Sequence, residues 1–200
     1  MAQWEDYLLP GTQVLKNKLG IDEQEKLTIA ENEIVLQKLS EYYLHSVEGN
    51  FDVAHLCEIN FFLFGNIYEF AGQFREVDMR KETKFEHYKN IPQKLEELFQ
   101  RMNAMSANLK SKFEIAKYLA DFYYGIISIH PFREGNGRTT REFIRQLVLS
   151  MFPEYELDYT KVNKDNFLVG VINHDNYPSL LAYEIYNALV PNPLYKSKNL

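Results

Sequence analysis

The sequence predicts an all-α domain. Apolar residues recur at helical spacing through most of the chain, caps and glycine stops punctuate those stretches, and the periodicity fails only over residues 74–91. With 200 residues, 46% of them hydrophobic, the chain can bury a sizeable core. It has no Pro/Gly/Ser-rich linker, low-complexity tract or repeat, so one compact domain over residues 1–200 is expected.

Residues 12–19 read as a short helix with Thr12 as N-cap and Gly20 as its stop. Asp22 with Glu25 resembles a capping arrangement that opens a longer helix towards Ser46. Asp52 caps the next helix, which carries Leu56, Ile59, Phe62, Leu63, Ile67 and Phe70 and closes at Gly72. Residues 92–109 place Leu95, Leu98, Phe99 and Met102 on one face. Residues 113–129 are apolar nearly all round, with Lys117 and Asp121 among the few charges, as in a largely buried helix. A further helix runs on from Asn136, and residues 164–172 and 178–189 supply two more. Between residues 74 and 91 the chain is polar with isolated Val77, Met79 and Phe85, which fits a short exposed hairpin or loop. The methionines and aromatics of the helices read as core filler.

Net charge −6 and pI near 5.4 argue against nucleic acid as the main partner. Cys57 is the only cysteine, so no intrachain disulfide can form and a reducing compartment fits. Its neighbour His55 does not make it half of a metal site, because no further Cys/His pair completes a tetrahedron and Leu56, Phe61 and Phe62 around it read as core. The first residues lack the basic and apolar regions of a signal peptide, and no apolar run reaches the length of a membrane span. A cytoplasmic protein without membrane contact is expected.

Chemistry concentrates in residues 130–141, His-Pro-Phe-Arg-Glu-Gly-Asn-Gly-Arg-Thr-Thr-Arg. Pro131 disfavours helical geometry at His130, so a titratable imidazole sits where a buried helix stops and a loop begins. Phe132 is expected to turn inward and anchor that loop. Gly135 and Gly137 permit a tight turn whose amides approach a ligand, and the first turn of the following helix favours phosphate through its unpaired N–H groups. Arg138 and Arg141 are three apart and share a face, which Arg145 extends by another turn. Guanidinium groups suit phosphate oxygens. Glu134 is a hard oxygen ligand of the kind Mg²⁺ uses beside phosphates. Each feature alone also has an ordinary structural explanation; their conjunction points to a site that binds and attacks a nucleotide's phosphates.

This segment resembles the signature of the Fic family, His-x-Phe-x-[Asp/Glu]-Gly-Asn-Gly-Arg-x-x-Arg, at every defined position. The stretch from Tyr7 to Gly20 resembles the opening of short bacterial members, residues 51–75 the part before the family's flap, and residues 155–158 the part after the motif helix. Phe70 stands where many members have Trp, and Asn60 where many have His; both are expected to touch packing and not chemistry. The resemblance implies a Fic-fold helical domain with a β-hairpin flap at about residues 74–91 that pairs with an extended target segment, Phe85, Thr83 and Lys84 docking the target. His87 is a further titratable group there, with nothing to tie it to the phosphates. The implied activity is transfer of AMP from ATP to a Tyr, Thr or Ser hydroxyl of a protein, releasing pyrophosphate. His130 would be the base and Glu134 the Mg²⁺ ligand. Gly135, Asn136 and Gly137 would cradle the α-phosphate, the Asn136 side chain included, Arg138 the β-phosphate and Arg141 the γ-phosphate.

Transfer of UMP, phosphocholine or phosphate is the nearest alternative, although Gly135-Asn136-Gly137-Arg138 differs from the turn of the phosphorylating branch. A nucleotide-binding interaction module with little turnover is another. Many members also carry an inhibitory [Ser/Thr]-x-x-x-Glu-[Gly/Asn] helix whose Glu pairs with the second motif arginine. Outside the motif, Glu precedes Gly or Asn only at Glu31 and Glu48, and four residues upstream lie Leu27 and Leu44. The chain is therefore expected to be unrestrained, or restrained by a separate small antitoxin that supplies the glutamate.

Overall fold

The computed structural model describes residues 3–44, 49–80, 85–107 and 109–196. Its main helices are α1 (Gln24–Leu44), α2 (Val53–Phe64), α3 (Ile91–Ser106), α4 (Lys112–Ile129), α5 (Asn136–Met151), α6 (Lys164–Ile172) and α7 (Pro178–Ala188), followed by a single turn α8 (Pro193–Lys196). Strands β1 (Tyr155–Leu157) and β2 (Leu189–Pro191) pair antiparallel, Glu156 opposite Val190. The all-α expectation holds.

Helix starts follow the sequence closely. The Asp52 carboxylate accepts from the His55 amide at 2.8 Å, and Ser111 with Glu114 forms a capping box at the head of α4. Helix α4 is the central element. It packs most extensively on α7 and also on α3 and α5, and Ala116, Leu119, Ala120, Phe122 and Ile126 along it are fully buried. Its apolar sequence reflects neighbours on several sides.

Two expectations are corrected. Residues 12–19 form no helix: Pro10 and Gly11 turn the chain so that Leu8 pairs with Leu15, and the Thr12 hydroxyl accepts from the Val14 amide and donates to the Leu9 carbonyl. A residue suited to an N-cap serves a turn equally well. Helix α2 ends at Phe64, not Gly72, because the amides of Ile67 and Tyr68 both return to the Phe64 carbonyl; Ile67 and Phe70 reach the core from turns. The small sheet lies at β1 and β2, where three-residue strands leave almost no periodic signal. In the expected flap, described residues 74–80 and 85–90 carry a bridge between Phe74 and Phe132, a further bridge position at Arg80 and a 3-10 turn at Tyr88–Asn90; Thr83 and Lys84 lie outside the described residues.

Cys57 lies half-buried on α2. Burial, then the nearby carboxylates of Glu58 and Asp52, push its thiol up to about 11. Iodoacetamide at pH 8 should therefore alkylate it roughly a hundredfold more slowly than an unhindered model thiol. Labelling at the model rate, followed by mass spectrometry, would contradict this placement.

Candidate active site

The His130 loop is held in an unusual backbone state. As the C-cap of α4, His130 adopts φ 53°, ψ 62°, a left-handed conformation that a non-glycine residue occupies at a cost of order 1–3 kcal/mol. Pro131 excludes continuation of the helix, and buried contacts fix the path of the loop beyond it. Phe132 is buried, its amide donates to Asn136 Oδ1 at 2.9 Å, and its carbonyl accepts from Asn136 Nδ2 at 2.8 Å. Both polar atoms of the Asn136 side chain are thus engaged in closing the loop, which differs from the expectation that this side chain faces a phosphate.

Arg75, only 1% exposed, ties the loop to the flap segment. Its guanidinium donates to the carbonyls of His130 at 2.7 Å, Val77 at 2.6 Å, Glu86 at 2.5 Å and Ile129 at 3.2 Å, and its amide donates to the Pro131 carbonyl. Asn60 braces the other side. Its Nδ2 reaches the Glu134 carbonyl and Thr139 Oγ1, and its Oδ1 accepts from the Gly72 amide. The expectation for Asn60 was packing; it is a buried polar crosslink that holds the loop without touching the reacting groups. Phe70 does pack, stacked on Tyr68 and edge-on to Tyr7.

These braces shape a cavity of about 500 Å³ bounded by Trp4, Thr28, Glu31, Asn32, Met79, Arg80 and the motif residues His130, Arg133, Glu134, Gly135, Asn136, Gly137, Arg138 and Arg141. His130 Nδ1 lies 3.3 Å from the Ile127 carbonyl. A carbonyl only accepts, so Nδ1 carries the proton in that contact and the basic lone pair is on Nε2. Phe85 stacks flat on the imidazole, with centroids 3.8 Å apart and planes 11° apart, and thereby orients the base. At the other wall, α5 opens at Gly135, whose φ of 82° and near contact with Phe64 leave no room for a side chain. The Gly135 amide donates to Glu134 Oε1 at 2.7 Å. The amides of Asn136, Gly137 and Arg138 precede the first intrahelical bond, from Thr139 to Gly135, and so form the donor end of the helix.

Arg138 and Arg141 both border the cavity. Arg141 folds back over Gly137 and lies beside the Tyr123 hydroxyl. Arg145 does not join them. Seven residues beyond Arg138, it lies about 10 Å further along the helix axis. There it is buried, bonded to both Glu142 oxygens at 2.7 and 2.8 Å and set over the Tyr43 ring, so it belongs to the scaffold. Arg133, which no sequence pattern marks, is buried with its guanidinium 3.8 Å from the Trp4 ring, and this brings the N-terminal turn to the rim. Glu184 is buried away from the cavity and accepts from the Asn163 amide and the Asn166 side chain; Glu48 lies outside the described residues. Glu31 is the unexpected neighbour: from α1 its carboxylate reaches Arg138 at 2.6 Å. No local pattern announces Arg75, and the Glu-Asn step at Glu31 does not reveal its contact with Arg138, because each meets the motif across a long stretch of chain.

Fold and site define a helical domain built round a cationic, amide-lined cavity with one histidine at its mouth. A profile of the Fic/DOC family matches residues 50–148. Protein adenylyltransferase VbhT of Bartonella schoenbuchensis is 38% identical over 168 residues, 80% of this chain and 34% of that protein. The probable protein adenylyltransferase y4lH of Sinorhizobium fredii is 34% identical over 166 residues, 82% of this chain and 84% of that protein. Among solved structures, BepC of Bartonella tribocorum with bound AMPPNP superposes with a TM-score of 0.84 at 26% identity, covering 94% of this chain and 98% of that one. The chain belongs to the Fic/DOC family. It spans about a third of the VbhT relative and most of the Sinorhizobium one.

Proposed function

We propose that this domain, taken over residues 1–200, is a protein adenylyltransferase that moves AMP from ATP to a Tyr, Thr or Ser hydroxyl of a target protein. The observation that carries the reading is the convergence on one cavity of His130, with its basic lone pair on Nε2, the donor end of α5, and the guanidinium groups of Arg138 and Arg141. His130 takes the proton of the attacking hydroxyl as its oxygen forms a bond to the α-phosphorus, and the bond to the β-phosphate oxygen breaks with departure of pyrophosphate. Amides of Asn136 and Gly137 stabilise the α-phosphoryl oxygens, while Arg138 and Arg141 hold the outgoing β- and γ-phosphates. Phe85, stacked on the base, would contact the incoming residue, and Thr83 and Lys84, outside the described residues, would help dock the target's extended backbone.

Mg²⁺ fits the donor set. Glu134 is partly exposed at the cavity wall, and no cluster of three His, Cys, Asp or Glu exists among the described residues, which suits an ion held by one carboxylate and the substrate's own phosphates. Such an ion would supply neutralisation of phosphate charge. No helix among the described residues is long and apolar enough to cross a membrane. Action in the cytoplasm accords with the lone Cys57. Control by a small antitoxin is part of the same reading. Arg141, with no carboxylate in hydrogen-bond contact among the described residues, is open to a glutamate from a partner that would take the γ-phosphate position.

Incubation with ATP labelled at either phosphate tests the reading. Protein should acquire label from the α position and none from the γ position, and Glu134→Ala should reduce the transfer by at least tenfold with Mg²⁺ present. Label from the γ position would mean a kinase, and preference for UTP would mean a different donor.

A further inference from the structure

Glu31 has no part in the chemistry described so far, yet it is built into the phosphate site. Glu31 is 8% exposed, and its carboxylate accepts hydrogen bonds from two sides: the Tyr68 hydroxyl behind it and Arg138 Nη2, at 2.6 Å, in front. Tyr68 is itself 2% exposed and stacks on Phe70 with planes 14° apart. Burial, together with the hydrogen bond to Glu31, raises the pKa of its hydroxyl, so it remains a donor across the physiological range. The Arg138 guanidinium also lies 4.7 Å from the centre of the Phe64 ring, and the same Nη2 makes a longer contact of 3.3 Å with Glu134.

Two carboxylates thus share one guanidinium nitrogen unequally. Glu31 is the closer and more buried, with a side-chain exposure of 11% against 35% for Glu134. Nε and Nη1 of Arg138 have no hydrogen-bond partner among the described residues, so the edge turned from Glu31 retains donors for an anion. We propose that Glu31 is a positioning residue: it anchors Arg138 from the wall so that this arginine stays aimed at the terminal phosphates while Glu134 turns to the metal. The role rests on the ATP reading above. A carboxylate that merely competed with phosphate would have to occupy the cavity, whereas Glu31 is held at its margin by a buried tyrosine. Fixing one side of a flexible cation lowers the ordering cost of each phosphate bond it makes.

Calorimetric titration of the whole protein with AMP and with ADP separates this role from a general structural one. Glu31→Ala should weaken ADP by about tenfold and AMP by less than about twofold, because only ADP carries a phosphate for Arg138 to hold. Tyr68→Phe should shift ADP in the same direction by less. Glu31→Gln, which keeps the shape and an accepting oxygen, should recover part of the loss and covers the case in which the alanine variant does not fold. Combined with Arg138→Ala, the Glu31→Ala change should have no further effect on ADP. Tighter ADP binding in Glu31→Ala would make Glu31 a competing counter-ion and overturn the proposal, as would equal weakening of AMP and ADP or additive effects in the double variant. A wild-type protein that binds neither nucleotide would defeat the ATP reading itself, whereas wild-type binding without the Glu31 pattern would defeat only this inference.

Discussion

His130→Ala is expected to lower AMP transfer by about 10²–10⁴-fold, the range typical of removing a general base, while ATP affinity changes little. The Nδ1 contact with the Ile127 carbonyl and the flat Phe85 stack fix both the tautomer and the plane of the ring, so the loss falls on proton removal and not on nucleotide binding. The substitution also removes the ring that Phe85 covers, but the loop remains braced by Arg75, Asn60 and Asn136. Initial rates and ATP titration of the folded variant check the two halves separately. Undiminished transfer would remove His130 from the mechanism, and lost ATP binding would show that it holds the nucleotide.

Gly135→Ala should be nearly as damaging for a different reason, and it should destabilise the fold far more than Gly137→Ala. A methyl group at Gly135 would stand 2.2 Å from the Phe64 ring on a backbone with φ 82°, whereas at Gly137 the nearest outside atom is Arg141 Nη1 at 3.6 Å. Left-handed strain and overpacking together cost on the order of 3 kcal/mol at Gly135. Phe64 supports Arg138 from below, so its displacement disturbs the phosphate site as well. Thermal unfolding should show a clear drop for Gly135→Ala and little change for Gly137→Ala. Equal behaviour of the two variants would contradict the packing described for the loop.

The site is legible in the sequence because its chemistry is local. Within a dozen residues a helix stop, a base, a carboxylate, a glycine turn and two arginines succeed one another, and the backbone alone brings them together. The residues that support them are not legible. Arg75, Glu31, Asn60 and Trp4 each reach the loop from a separate segment, and a single polar residue in an otherwise ordinary stretch carries no period or spacing to mark it. Arg145 shows the converse limit: shared helical phase with Arg138 says nothing of depth along the axis, and the end of α1 covers it. The helices are read well where an aspartate cap precedes an apolar face, as at Asp52. At Thr12 the same chemistry serves a turn. The register of the small sheet depends on Glu156 meeting Val190, a contact that neither segment encodes alone.

The most direct test of the central claim is mass spectrometry of the proteins modified when the purified domain acts on a lysate with Mg²⁺ and ATP. The account predicts targets that gain the mass of one adenylyl group on a Tyr, Thr or Ser oxygen, together with released pyrophosphate, and no such species with the His130→Ala protein. Targets that gain only a phosphoryl group, or adenylyl groups that appear equally with His130→Ala, would contradict it.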